Sequence, residues 1–188
     1  MNFIEVQDKQ TFDKIYSDME KQFPKSELRP YEKILNDTLS EKPYKMVILE
    51  DNGEYLGYVT YFEKDFIWVD YLAIIGENKS KGYGSLILEK LFEYCKDKNG
   101  AYFEVELENP EDSLTTKRIN FYKKIGCEIL DLAYFYPNEE NVLQMNLMYK
   151  SLAEKKPKNI IQDIKATFDN IFECSAKEKA FQKIIEVN

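Results

Sequence analysis

The stretch from Ile67 to Leu107 limits the possible folds more than any other part of the chain. An apolar β-type run, Ile67 to Ile75, leads into a polar loop, Lys79-Ser80-Lys81-Gly82-Tyr83-Gly84-Ser85. That loop opens a helical pattern with Gly84, Ile87, Leu88, Leu91 and Cys95 on one stripe. After Lys98-Asn99-Gly100 a second run alternates, with Phe103, Val105 and Leu107 pointing one way and Tyr102, Glu104 and Glu106 the other. Strand, helix and strand in this order form a right-handed βαβ unit, so the two strands are parallel. The loop between them sits at a helix start, where backbone N–H groups lack partners and favour an anion. Its glycines let that anion approach the main chain, and Lys79 and Lys81 add positive charge beside it. The local reading is a phosphate-binding loop.

Composition narrows the chemistry. A chain of 188 residues, 44% hydrophobic and 14% aromatic, buries a core of ordinary size. No stretch reaches the roughly 18 consecutive apolar residues of a membrane-spanning helix, and the N-terminus lacks the pattern of a secretory leader. These features read as a cytoplasmic protein without a membrane partner. Histidine is absent, which excludes Ser-His and Cys-His nucleophile pairs and His-ligated zinc. Chemistry here runs on carboxylates, tyrosines, lysines or backbone. Cys95, Cys127 and Cys174 are odd in number and far apart, so no disulfide framework and no metal site is expected. A net charge of −8 argues against nucleic acid and is compatible with a cationic substrate.

Read in order, residues 2–6 look like a first strand, and Thr11 opens a helix with Phe12, Ile15, Tyr16, Met19 and Phe23 on one face, ending before Pro24. A second helix follows from Pro30 to about Leu39, with Tyr31, Ile34, Leu35 and Leu39 inward. Residues 44–50 and 54–62 read as strands joined by Asp51-Asn52-Gly53, with Gly57 at a bulge. Beyond Asn109-Pro110, Ser113 or Thr115 can cap a helix through Ile125, closed by Gly126. Cys127 to Tyr136 and Asn141 to Tyr149 then read as two antiparallel strands. A charged break at Lys155-Lys156-Pro157-Lys158 precedes helical patterns carrying Ile160, Ile161, Ile164, Phe168, Ile171 and Phe172, and then Ala180, Phe181, Ile184 and Ile185. Residues 1–150 are thus read as one domain, and 151–188 as a helical extension that docks on the domain or on a second subunit.

This series resembles the GNAT superfamily of acetyl-CoA-dependent N-acetyltransferases. Four features between Phe3 and Tyr149 carry the resemblance: the apolar strand Tyr71-Leu72-Ala73-Ile74; the loop Lys79 to Ser85, similar to the family's Arg/Gln-x-x-Gly-x-Gly/Ala; the parallel strand ending Glu104-Val105-Glu106; and Phe121-Tyr122-Lys123-Lys124-Ile125-Gly126, similar to the family's Phe-Tyr-x-x-x-Gly helix end. Lys79 stands where the family usually has arginine or glutamine, keeping a charge without the planar fork. Gly76 stands where a proline is common. A dinucleotide fingerprint would need glycine at Ile87, and the Gly-Lys-Ser/Thr of a P-loop never occurs.

The resemblance implies an α/β (α+β) fold with a mixed, mostly antiparallel sheet, a central parallel pair splayed around the donor, and helices on both faces. It implies an N-acetyltransferase acting on a primary amine of a small cationic molecule or a peptide, as monomer or homodimer. Lys79, Ser80, Lys81, Gly82, Tyr83, Gly84 and Ser85 would hold the pyrophosphate of acetyl-CoA, and Leu72, Ala73 and Ile74 would offer main-chain groups to its pantetheine arm and acetyl oxygen. Tyr122, at the family's general-acid position, would protonate the leaving thiolate, since a phenol's pKa near ~10 exceeds a thiol's of about 8.5. Asp70 or Glu104 would act as base through water, with Glu106 orienting the amine. Acids on one strand face are costly to bury unpaired, so they should border a cavity or meet Arg118. Other readings are an acyl-CoA-binding module without turnover, and an interaction protein dominated by its C-terminal helices.

Overall fold

The computed structural model describes residues 1–25, 27–79, 81–138, 141–153, 157 and 159–188. Among them the chain falls into two units: Met1–Lys64 with Val69–Lys96, and Asp65–Trp68 with Asp97–Asn188. The first holds β1 (Asn2–Glu5), α1 (Lys9–Gln22), α2 (Tyr31–Leu39), β2 (Tyr44–Asp51), β3 (Glu54–Glu63), most of β4 (Ile67–Ile74), a 3-10 turn (Gly76–Asn78) and α3 (Tyr83–Tyr94). The second holds β5 (Gly100–Glu106), α4 (Ser113–Lys124), β6 (Glu128–Ile129), β7 (Tyr134–Asn138), β8 (Asn141–Ser151), α5 (Ile160–Ile171) and α6 (Ala176–Val187). The strand order is β1-β2-β3-β4-β5-β8-β6, with β7 also paired to β8. Pairing is mostly antiparallel, and β4 and β5 form the parallel pair. No helix among the described residues is long and apolar enough to cross a membrane.

In the first unit α1 starts before Thr11. Asp8 is its cap, accepting the Thr11 N–H at 2.9 Å and the Thr11 hydroxyl at 2.8 Å, so Thr11 is the third helical residue. Phe12, Ile15, Tyr16 and Met19 are buried as their spacing predicts, while Phe23 has already left the helix as its C-cap. The inward face of α2 differs from the apolar pattern. Ile34 is buried, but Asp37 and Thr38 are buried with it, and Leu39 is 38% exposed. Rotating α2 in this way brings Asp37 to a buried arginine, an interaction that apolar periodicity cannot register.

On β3, Gly57 pairs with Leu49 and Tyr55 with Glu50, so Leu56 is the extra residue of a bulge beside the glycine. Here the lack of a side chain serves close approach. A Cβ at Gly57 would lie 2.7 Å from the Ala73 carbonyl oxygen and 2.6 Å from Ile87 Cδ1, so β3 can reach β4 and α3 only through a bare backbone.

In the second unit the cap of α4 is Asp112, not Ser113 or Thr115; its Oδ1 accepts the Leu114 N–H at 2.9 Å. The single strand predicted over 127–136 is broken into β6 and β7. Leu130 N–H still donates to Leu147 at 2.9 Å, but Leu132 N–H folds back to Leu130, kinking the chain between two short strands on one edge of β8. The other edge of β8 carries β5, with Glu104 opposite Leu147 and Glu106 opposite Met145. The break predicted at 155–158, apart from Pro157, lies outside the described residues. Both C-terminal helices pack in cis: Phe168 meets Tyr134, Phe172 meets Tyr136, and the Asn188 side chain bonds both backbone groups of Ala133 at 2.9 and 3.0 Å.

Gly57→Val is expected to cost about 2–3 kcal/mol, because the Ala73 carbonyl is backbone and cannot swing aside. The measurement is the urea-unfolding midpoint against wild type.

Candidate active site

The first unit carries the residues expected to hold the donor. Along β4 the Tyr71 N–H donates to Thr60 Oγ1 at 3.0 Å, the Ala73 carbonyl faces Gly57, and just past the strand Ile75 N–H donates to Leu56 at 2.9 Å. Alternation therefore turns the main-chain groups of Leu72 and Ile74 to the other edge of the strand. There the Ile74 carbonyl accepts Gln22 Nε2 at 3.1 Å, a contact from the end of α1.

The chain then passes through the 3-10 turn to Lys79, Lys81 and Gly82, all exposed. Gly82 is the N-cap of α3 at φ +87°, and among the described residues no side chain caps the helix and no atom lies within 4 Å of where a Cβ would stand. Backbone conformation, not crowding, requires this glycine. The N–H groups of Tyr83, Gly84 and Ser85 form the uncapped first turn, and Leu86 N–H makes the first helical bond, to Gly82 at 3.2 Å. Lys81 Nζ rests on Asn78 Oδ1 at 3.3 Å. Uncapped donors, two lysines and small residues fit a diphosphate. Ser80 lies outside the described residues.

Asp70, at the entry to this segment, is part of a buried ionic cluster. Arg29, 9% exposed, spans two aspartates, with Nη2 2.7 Å from Asp70 Oδ2 and Nη1 3.0 Å from Asp37 Oδ2. The Tyr44 hydroxyl also donates to Asp70 Oδ2, and its ring lies under the guanidinium at 4.7 Å. Lys42 Nζ reaches Asp37 Oδ1 at 2.7 Å. Burial works against the Arg29 charge, and the Asp70 carboxylate more than offsets it, so the guanidinium stays ionised. Burial pushes the Tyr44 phenol well up, keeping it a donor.

The second unit carries the residues expected to move protons. Glu106 meets Arg118 as the residue types predict, Oε1 to Nη2 at 2.8 Å, with both side chains about half exposed. Glu104 accepts the hydroxyl of Tyr134, a fully buried side chain on β7. Tyr122 lies on α4, its ring 4.9 Å from Phe103 and 5.1 Å from Phe121. Phe103 and Glu104 are successive on β5, so Tyr122 packs on one face of the strand and Glu104 projects from the other. Burial, helped by Cys127 and Glu106 and opposed by Arg118, raises the Tyr122 phenol, so it holds its proton. Its hydroxyl makes no hydrogen bond among the described residues. Burial also pushes the Cys127 thiol up to about 12.

A model of the acetyltransferase (GNAT) family matches residues 12–127. The chain belongs to this family. A Bacillus subtilis (strain 168) protein named as an acetyltransferase, YjbC, is 32% identical over 115 residues, 56% of this chain and 55% of that one. The chain thus spans about half the length of the curated relative it matches. In fold it is similar to a GNAT acetyltransferase of Bacteroides thetaiotaomicron, with TM-score 0.78, 24% identity, and coverage of 92% of this chain and 100% of that one. It is also similar to the spermidine N-acetyltransferase of Vibrio cholerae solved with CoA and spermine, with TM-score 0.63, 14% identity, and coverage of 80% and 95%.

Sequence reasoning missed Gln22, Arg29, Asp37 and Tyr44, and it read Tyr134 as a cavity wall or ordinary core without its bond to Glu104. One signal was available: the chain has only two arginines, Arg29 and Arg118, among 26 basic residues, and each binds an acid that had been singled out. Arg29→Met is expected to cost about 3–5 kcal/mol at neutral pH by stranding buried carboxylates. Denaturant melts of both proteins check the size.

Proposed function

We propose that the chain is an N-acetyltransferase that moves the acetyl group of acetyl-CoA, by direct attack, onto a primary amine of a small cationic molecule or a peptide. Family membership supports the reaction class, and the uncapped start of α3 behind Gly82 suits the donor's diphosphate. Leu72 and Ile74, whose main-chain groups lie on the edge of β4 away from β3, suit the pantetheine arm and the acetyl oxygen, whereas the Ala73 carbonyl expected to join them faces Gly57 instead.

The observation that carries turnover, beyond binding, is Tyr122. It stands one helical turn before Gly126, at the family's acid position, with a protonated hydroxyl that no described residue occupies. In this reading the base removes one proton from the incoming ammonium, the neutral nitrogen attacks the thioester carbonyl, and the C–S bond breaks as Tyr122 gives its proton to the departing sulfur; the second nitrogen proton, released as the amide forms, returns through solvent to the Tyr122 phenolate. Glu104 is the base, directly or through water. Asp70 has its Oδ2 taken by both Arg29 and Tyr44, and we assign it to holding β4 in place. Glu106, in an exposed pair that exchanges partners at little cost, draws in the cationic amine.

The test is to follow free-thiol release from acetyl-CoA across a panel of polyamines, aminoglycosides and peptide amines. Release with at least one amine is expected, and measurable acetyl-CoA binding without release from any would overturn the reading in favour of a binding module. Tyr122→Phe is expected to lower turnover roughly 10²-fold with acetyl-CoA affinity unchanged; equal turnover would remove Tyr122 from the mechanism. Gly82→Val forces a branched residue into φ +87° and is expected to weaken acetyl-CoA binding about tenfold, measured by calorimetry.

A further inference from the structure

We infer that Tyr134, braced by Phe168 of α5, is the positioning residue of Glu104, holding its carboxylate ionised and in one orientation. The inference rests on the reading of Glu104 as the base. Glu104 lies inside the family match, which ends at 127, and Tyr134 and Phe168 lie beyond it.

Tyr134 is 0% exposed, and its ring lies 6.1 Å from Trp68 and 6.2 Å from Phe168. A buried phenol O–H needs an acceptor, and here that acceptor is Glu104 Oε1. The bracing continues through the same layer. Trp68 stacks on Tyr102 at 5.1 Å and 29°, and the Tyr102 hydroxyl donates to Asp163 Oδ2 of α5 at 2.6 Å. Asp163 and Phe168 thus tie one helix to both tyrosines that flank the Glu104 side of β5. A clamped ring leaves its hydroxyl a single position, so the flexible glutamate is the partner that adjusts. Burial and the Glu104 charge both raise the Tyr134 phenol, so it remains the donor.

Among the described residues, the titratable and charged groups facing this carboxylate include Tyr134, Tyr136 beside it on β7, Tyr102 and Glu106 on β5, and Asp163 through Tyr102; the β8 residue opposite is the apolar Leu147. Tyr134 hands Glu104 a proton to share, so its removal has a definite sign. A carboxylate that loses a donor holds its own proton more tightly.

The experiment uses the full chain with carboxyl-13C glutamate, the Glu104 signal being identified by its loss in Glu104→Gln. In Tyr134→Phe the Glu104 pKa is expected to rise by about one unit, the equivalent of one hydrogen bond to a charged group. In Phe168→Leu it is expected to rise by less. The acid limb of kcat/KM for an accepted amine moves up by the same amount in each variant. A Glu104 titration unmoved in Tyr134→Phe overturns the inference. Movement there but not in Phe168→Leu overturns the part given to α5. A shifted titration with an unshifted acid limb upholds Tyr134 as the holder of Glu104 and overturns Glu104 as the base, which separates the two readings. Phenylalanine keeps the ring and the packing, so the melting temperature is expected within a few degrees of wild type; should that variant unfold, the Phe168→Leu titration decides.

Discussion

A guanidinium taken out of water must find anions, and the arrangement of the first unit follows from that constraint on Arg29. Its two nearer partners lie on different elements, Asp37 on α2 and Asp70 on β4. Pairing both at once fixes the rotation of α2 and places Tyr44 of β2 against the guanidinium. The backbone of Arg29 is used as well. Its N–H donates to the Tyr71 hydroxyl at 2.9 Å and its carbonyl accepts the Tyr16 hydroxyl at 3.2 Å, tying α1 and β4 to the same residue. One charge thereby joins four elements. The strand that results is held rigidly just ahead of Leu72, Ala73 and Ile74, where a thioester would need a fixed main chain.

The second unit solves a different problem, that of burying phenols. Tyr102, Tyr134 and Tyr149 sit in an aromatic layer with Trp68, and each sends its hydroxyl to an acceptor: Asp163, Glu104 and the Asn99 carbonyl. The layer stacks against α5, whose own apolar side would otherwise face water. Near this layer the chain also uses a bare backbone, since a Cβ at Gly100 would fall 2.1 Å from Tyr149. The C-terminal helices are therefore bound to the strand that carries the acids of the proposed site.

Much of the architecture was legible because it rests on neighbours in sequence. Alternation identified β5, the run 67–75 identified β4, and the stripe from Ile87 to Cys95 identified α3. The loop at Gly82 was legible for the same reason, as a positive φ and a helix start are local events. Errors arose where a polar group outweighed local pattern. Asp8 and Asp112 displaced the expected caps because carboxylates just before the helices reach the first N–H groups. The face of α2 was misread because Asp37 goes inward. The predicted strand over 127–136 broke where Leu132 turned back on Leu130, a kink set by how β8 accepts it.

By itself, then, the sequence determined the order of the elements, the parallel pair, the glycine-led start of α3 and, through the absence of histidine, the exclusion of histidine-based chemistry. The tertiary structure decided which acid meets which partner. Arg29 and Asp70 are 41 residues apart, and Tyr134 and Glu104 are 30 apart. The physical reason is that a buried charge or hydroxyl demands a partner without naming one. Strand register and helix rotation choose among the candidates, and neither is fixed until distant segments have packed.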